Sequence, residues 1–214
     1  MPASGRRQLL VFGRAPVPGT VKTRLIPALG PLAATQIYTR LLAHALAVAT
    51  QLEATEVTFW CQAEHAEQSA CTALGARFGV AVRAQPPGSL GERMVYALRE
   101  ATRASTAGAV LIGSDCPAYS VAYLKAAFAA LASNDGVIGP ADDGGYVLIG
   151  CHGVEPRLFE AIDWSTSRVL AQTRARLREL AWRWTELPSL RDVDEPADLV
   201  GFAELDPRRD KLSP

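Results

Sequence analysis

The chain has 214 residues, 49% hydrophobic and 21% charged, with 22 Lys plus Arg balanced by 22 Asp plus Glu. That is enough apolar mass for one sizeable core and too little charge for a disordered chain. The zero formal net charge offers no basic excess of the kind a nucleic-acid binder carries, and no basic amphipathic helix marks a membrane-surface protein.

The N-terminal segment carries Arg6 and Arg7 before the apolar stretch Leu9–Phe12, which Gly13, Arg14 and Pro16 interrupt. That stretch is too short for a signal peptide, and no apolar run approaches a membrane span. Leu9–Phe12 reads as a buried first strand. A Pro- and Gly-rich loop follows to Pro31, then a helix from about Leu32 to Thr50, whose Ile37, Leu41, Ala45 and Val48 share one face. Glu56–Cys61 reads as a second strand, residues 64–78 as a helix and Val80–Arg83 as a third strand. After a turn-rich loop, Glu92–Ala104 is helical and Ala109–Ile112 is a fourth buried strand. Ser120 caps a helix that points Leu124, Phe128 and Leu131 inward. Gly136–Gly139 and Gly145–Gly150 read as two strands joined by the acidic loop Pro140–Gly144. Ser165 or Thr166 is expected to cap a helix bearing Val169, Leu170, Leu177 and Leu180, and Trp182–Leu187 reads as a late strand. Asp194-Glu195-Pro196 is expected to open a last helix through Ala203, with a frayed tail from Pro207. Strands alternating with helices predict one α/β domain over 1–214, with its core at about 9–204 and a mostly parallel sheet.

Open α/β sheets bind ligands off the carboxyl ends of their strands, so chemistry is sought there. The loop after the first strand holds Gly13 and Gly19, which allow close backbone approach to an anion, and the cations Arg14, Lys22 and Arg24. It matches neither a Walker A loop nor GxGxxG; an ordinary solvated loop is the plainer alternative. Gly113-Ser114-Asp115-Cys116-Pro117 puts Asp115 at the end of the fourth strand, as a Mg²⁺ ligand or a turn aspartate. Cys116 has no histidine nearby in sequence and reads as structural. Asp142 and Asp143, before Gly144 and Gly145, suit an acceptor-binding group or general base, and equally a hairpin turn. Asp192 and Asp194 alternate, so on extended chain they face one side, where one could complete a metal site; Asp194 alternatively caps the last helix. Gly91 lies in a Gly-containing loop where a base could rest on backbone. Cys61, Cys71, Cys116 and Cys151 form no CxxC pair, which suits a reduced cytoplasm, and His44, His65 and His152 lack metal-ligand spacing.

In order, the landmarks Phe12–Gly19, Lys22-Thr23-Arg24-Leu25, Leu90–Met94, Gly113–Pro117, Pro140–Tyr146, Trp164-Ser165-Thr166 and Asp192-Val193-Asp194 resemble one family. It is the bacterial arsenosugar biosynthesis-type glycosyltransferases of the GT-A, nucleotide-diphospho-sugar transferase superfamily. The resemblance implies a GT-A-like (Rossmann-like) mixed, mainly parallel sheet with helices on both faces. It implies that Gly13 and the loop to Arg24 hold base and phosphates, that Asp115 binds the metal, Mg²⁺ or Mn²⁺, and that Asp192 or Asp194 assists. Where the superfamily's D-x-D stands, this chain has Ser114-Asp115-Cys116. The expected activity is metal-dependent glycosyl transfer from a nucleotide sugar to a small-molecule acceptor oriented by Asp142 or Asp143. The alternatives are nucleotidyl transfer from a nucleoside triphosphate to a small phosphorylated substrate, for which the Lys-Thr-Arg loop is well suited, and non-catalytic nucleotide binding. Neither nucleic acid nor a membrane is an expected partner.

Overall fold

A computed structural model describes residues 6–62, 69–104, 107–202 and 205. Seven strands form one sheet in the order β3-β2-β1-β4-β6-β5-β7. They are β1 (Arg7–Gly13), β2 (Thr55–Cys61), β3 (Ala81–Ala84), β4 (Ala109–Ile112), β5 (Gly136–Pro140), β6 (Tyr146–Cys151) and β7 (Trp184–Glu186). β6 pairs antiparallel with both β4 and β5, and every other pairing is parallel. The mixed, mainly parallel sheet is therefore as expected.

The strands are apolar on both sides because both faces are covered. Leu9, Val11, Phe59, Val110, Ile112, Val137 and Leu148 pack under α2 (Pro31–Ala49), α3 (Ser69–Phe78) and α5 (Val121–Leu131). The alternate residues Leu10, Phe12, Trp60, Leu111, Ile138 and Ile149 pack under α4 (Leu90–Ala104) and α6 (Val169–Glu179). The expected helix at 64–78 is seen as α3; its first residues and His65 lie outside the described residues, as does most of the expected tail.

Three expectations are revised. The loop before α2 contains a 3₁₀ turn, Thr23–Leu25, and a single helical turn, α1 (Ile26–Leu29), because Leu25 is fully buried and draws the chain inward. Neither Ser165 nor Thr166 caps α6. Ser165 is left-handed at φ 64, the residue before the helix is Arg168, and Thr166 Oγ1 instead donates to the carbonyl of Asp163. The helix expected from Asp194 is only a 3₁₀ turn, Asp198–Gly201. Asp194 does not cap it: the Asp198 carboxylate accepts from the backbone N–H groups of Asp194 and Glu195.

That inversion frees the Asp194 side chain. The segment after β7 runs beside the acidic turn, with Asp142 N donating to Leu190 O, and reaches Asp115 through Val193 N donating to Asp115 O at 3.1 Å. Two carboxylates 79 positions apart in sequence are thereby set at one strand end. Among the described residues no helix is long and apolar enough to cross a membrane.

Candidate active site

Where the connections diverge, at the carboxyl ends of β1 and β4, lies a cleft of about 480 Å³, within the range of ligand sites. Gly13 forms its floor because a Cβ there would sit 2.8 Å from Tyr38 Oη and 3.1 Å from Phe59. The Tyr38 hydroxyl accepts from Arg14 N at 2.6 Å and donates to Arg14 O at 3.0 Å, so α2 fixes the backbone on which the loop turns.

Lys22 is the centre of this cleft. It holds a left-handed backbone (φ 47, ψ 47), a strained choice for a non-glycine residue that points its side chain back under the loop. Its side chain is 4% exposed, and the ammonium lies 3.0 Å from Asp115 Oδ1 and 2.8 Å from Asp194 Oδ1. Burial works against the charged form, but the two carboxylates outweigh it and hold the ammonium above its ordinary range. Arg24 Nη1 stands 3.7 Å from the other oxygen of Asp194.

Arg14 and Arg93 complete the lining cations and are placed differently. Arg14 donates to the carbonyl of Thr20, and Arg93 to the carbonyl of Ser89 and to Gln85 Oε1. Gln85 is itself buried and donates to the carbonyls of Gly13 and Trp60. Among the described residues neither guanidinium meets a carboxylate. Arg93 titrates lower than usual because of partial burial and the proximity of Arg14. Two neighbouring guanidiniums held only by neutral acceptors form a site for an anion.

A second cavity of about 300 Å³ adjoins the first and shares Phe12, Arg24, Leu90, Gly113, Trp164, Ser165 and Asp194 with it. Its floor is apolar, with Met94, Leu111 and Val147, and one wall is Trp164 set edge-on against Tyr146 at 6.4 Å. Asp143, Asp192 and Asp194 face it.

The structure thus brings Gly13, Arg14, Lys22, Arg24, Asp115 and Asp194 together and leaves the remaining sequence candidates outside this cleft. Of the acidic pair, only Asp143 lines a cavity; its carboxylate also accepts from Gly145 N at 2.8 Å. Asp142 accepts from Ser189 Oγ at 2.7 Å and lines neither cavity. Asp192 lines the second cavity alone. Gly19 lies at an open turn (φ 89), and Gly91 packs beneath Trp164 and Phe159, outside both linings. Cys116 is buried and its thiol is pushed up to about 12, mainly by burial, which suits a structural cysteine. His44 and His152 each bond a main-chain carbonyl. Of the Gln85–Arg93 loop, from which the sequence points to Gly91, it is Gln85 and Arg93 that line the cleft, together with Tyr38, to which no sequence motif points.

Asp115 and Asp194 are the residues that could hold Mg²⁺ or Mn²⁺. The Oδ1 of each lies against Lys22 Nζ, and the side chains stay 43% and 41% exposed, so the second oxygens remain available to the cleft. Among the described residues no group of three or more His, Cys, Asp or Glu side chains makes a cage. One or two carboxylates completed by phosphate oxygens and water is the usual Mg²⁺ arrangement.

Residues 45–166 match the family model described as "uncharacterized protein conserved in bacteria (DUF2064)". In addition, a crystal structure of a Desulfovibrio desulfuricans G20 protein, provisionally assigned as a nucleotide-diphospho-sugar transferase, is 30% identical with a TM-score of 0.83. The alignment covers 91% of this chain and 85% of that one. The chain belongs to this DUF2064 family, within the nucleotide-diphospho-sugar transferase superfamily. No curated protein sequence matches it. Other solved structures share its fold at 10% identity. One is 4-diphosphocytidyl-2C-methyl-D-erythritol synthase from Anaerococcus prevotii DSM 20548, with a TM-score of 0.62 over 94% of this chain and 97% of that one. Another is CMP:2-keto-3-deoxy-manno-octonic acid synthetase, determined with CTP, at 0.59 over 95% and 99%. The GT-A-like fold expected from the motifs is the fold found.

Asp192 sits where a negative charge is disfavoured. Burial first, then repulsion by Asp143 and Asp194, raises its carboxyl to about 6, from an ordinary value of 3.8. The folded state therefore holds this proton more tightly than the unfolded chain does. Ionising Asp192 costs stability as pH rises from about 4 to about 6, and the full cost persists above that window. Asp192→Asn, which mimics the neutral acid, is expected to stabilise the metal-free protein at pH 7.5 by about 1 kcal/mol after allowance for solvent screening. That corresponds to about 2–4 °C in Tm. The gain should vanish below pH 3.8, and melting curves across pH check both the sign and the window.

Proposed function

We propose that the chain is a nucleotide-utilising transferase and that the group it moves is a nucleotidyl group, taken from a nucleoside triphosphate with release of pyrophosphate. The observation that carries this choice is the charge of the first cleft. Among the described residues that line it, Arg14, Lys22, Arg24 and Arg93 stand against Asp115 and Asp194, a surplus of two positive charges. A nucleoside triphosphate carries about four negative charges and its magnesium complex about two; a sugar nucleotide carries about two and its complex about none. The cleft therefore neutralises the triphosphate complex and over-compensates the sugar nucleotide.

Arg24, which lines both cavities, and Lys22, beside Asp194 in the first, would hold the α-phosphate for in-line attack. Arg14 and Arg93, which meet no carboxylate among the described residues, would stabilise the charge that accumulates on the departing pyrophosphate. Asp115 and Asp194 would hold the divalent ion, which when bound supplies Lewis-acid neutralisation of phosphate oxygens. Gln85 acts through Arg93 as a positioning residue.

Calorimetric titration tests the reading. With Mg²⁺, one or more nucleoside triphosphates should bind at least about tenfold tighter than any sugar nucleotide, since one uncompensated charge in a partly desolvated cleft is worth well over 1.4 kcal/mol. Arg14→Ala with Arg93→Ala should weaken the triphosphate by about 10²-fold and the sugar nucleotide far less. Removing the metal with a chelator, or replacing Asp115 by Ala, should abolish the Mg²⁺-dependent part of the affinity. Tighter binding of a sugar nucleotide would move the assignment to glycosyl transfer.

A further inference from the structure

We propose that the second cavity takes an unphosphorylated, polyhydroxylated acceptor whose hydroxyl group is the nucleophile, and that Asp143 receives the hydroxyl proton. The proposal rests on the nucleotidyl-transfer reading and specifies its other substrate.

The two cavities share a rim but have opposite charge. The first carries a surplus of two cations, whereas the second has Arg24 against Asp143, Asp192 and Asp194, a surplus of two carboxylates. A phosphate monoester entering the second cavity would bring about two further negative charges against them. Like charges so placed are a device of exclusion. Arg24 does not reverse this, because it is shared with the first cleft and stands by Asp194. Hydroxyl groups, by contrast, are donors, and the second oxygen of Asp143, beyond the one that Gly145 N holds, can accept from them. Trp164 and Tyr146 present aromatic surface beside an apolar floor, a suitable wall for the C–H face of a ring or short carbon chain.

The chemistry agrees with the lining. A phosphate nucleophile is already ionised and needs no base, whereas a hydroxyl must lose its proton as it attacks. Asp143 lies on this cavity, and its oxygen toward Gly145 is fixed by that residue's N–H. In the step, the acceptor oxygen forms a bond to the α-phosphorus. The bond from that phosphorus to the α,β-bridging oxygen breaks, pyrophosphate departs with the electron pair, and the hydroxyl proton passes to Asp143. The products are a nucleoside monophosphate ester of the acceptor, pyrophosphate and one proton.

The test is a set of unphosphorylated sugars, sugar acids and polyols beside their monophosphates. Each is measured for binding by saturation-transfer NMR and for turnover by pyrophosphate release, with a nucleoside triphosphate and Mg²⁺ present. Nucleotide binding is measured first and separately, so its absence would indict the nucleotidyl-transfer reading alone. With nucleotide bound, at least one hydroxyl compound should bind and turn over, each about tenfold or more in preference to its monophosphate. Asp143→Asn keeps an oxygen for Gly145 N–H. It should lower turnover by about 10²-fold, with the melting temperature and nucleotide Kd unchanged within about twofold, and should flatten the acid limb of the pH–rate profile. Preference for monophosphates, binding of none of the hydroxyl compounds while nucleotide binds, or full activity of Asp143→Asn would each overturn the proposal.

Discussion

Lys22→Met is expected to lower turnover by about 10²–10³-fold and to weaken triphosphate binding by about 10²-fold, while the protein still folds. The side chain is of similar length, so the loss is one of charge. It leaves Asp115 Oδ1 and Asp194 Oδ1, which now meet at the ammonium at 3.0 and 2.8 Å, without their shared cation. The cleft's cationic surplus is halved, and the α-phosphate loses the donor nearest the strand end. A single preorganised charge of this kind is worth about 2.7–4 kcal/mol in the transition state. The fold should lose only about 1–3 kcal/mol. Both carboxylates remain more than two-fifths exposed and can turn to water, which spares the larger cost of orphaning a fully buried ion. Lys22→Arg should not rescue, because a planar fork cannot occupy the point between two carboxylates reached from a left-handed backbone. Initial rates, titration calorimetry and a melting curve on the same preparation separate the three effects. Wild-type affinity in Lys22→Met would contradict the placement of the phosphates.

The largest effect on stability is expected at Gly144, in the acidic turn between β5 and β6. Gly144→Ala should lower stability by about 3–4 kcal/mol and Tm by about 10 °C. Two costs add. The residue sits at φ 89, a left-handed conformation that costs an alanine about 1–2 kcal/mol. The new methyl would also be driven into the backbone of Ser167, whose carbonyl oxygen it overlaps and whose Cα and C atoms lie at 2.9 and 3.0 Å. Overpacking against main chain adds about 1–3 kcal/mol, since backbone cannot rotate away. The same contact bears on function. Leu170 N donates to Gly144 O at 2.9 Å, so the start of α6, the Trp164–Ser165 segment and Asp143 are braced against one another at this point. Gly144→Ala should therefore raise the KM for the second substrate more than the Kd for nucleotide. An alanine variant with wild-type Tm would show that the turn relaxes freely.

Much of this was legible beforehand because it depends on local pattern. Leu9 to Phe12 alternates between two buried faces, and an apolar run of that length is a strand covered on both sides whatever the rest of the chain does. Gly13 and Asp115 end parallel strands, and strand ends in such sheets form the ligand crevice. What was not legible depends on contacts distant in sequence. Lys22 and Asp194 are 172 positions apart, and nothing local says that the ammonium, rather than solvent, fills the space between two aspartates. Asp194 looked like a helix cap because a proline follows at the right spacing; Asp198 does the capping from the other side. Asp142 and Asp143 are adjacent in sequence, yet a parallel bridge from Ala141 to Leu190 turns one toward Ser189 and the other toward the cavity. Arg93 is set by a buried glutamine eight residues earlier, a relation visible only once strand and helix meet.

The most direct measurement is ³¹P NMR of the protein with Mg²⁺ and a set of hydroxylated compounds, supplied in parallel with nucleoside triphosphates and with sugar nucleotides. The account predicts the pyrophosphate signal together with a phosphodiester signal of the nucleotidylated product, only in the triphosphate samples and only with Arg14, Lys22 and Arg93 intact. Release of a nucleoside diphosphate from a sugar nucleotide, with triphosphates left unconsumed, would contradict it.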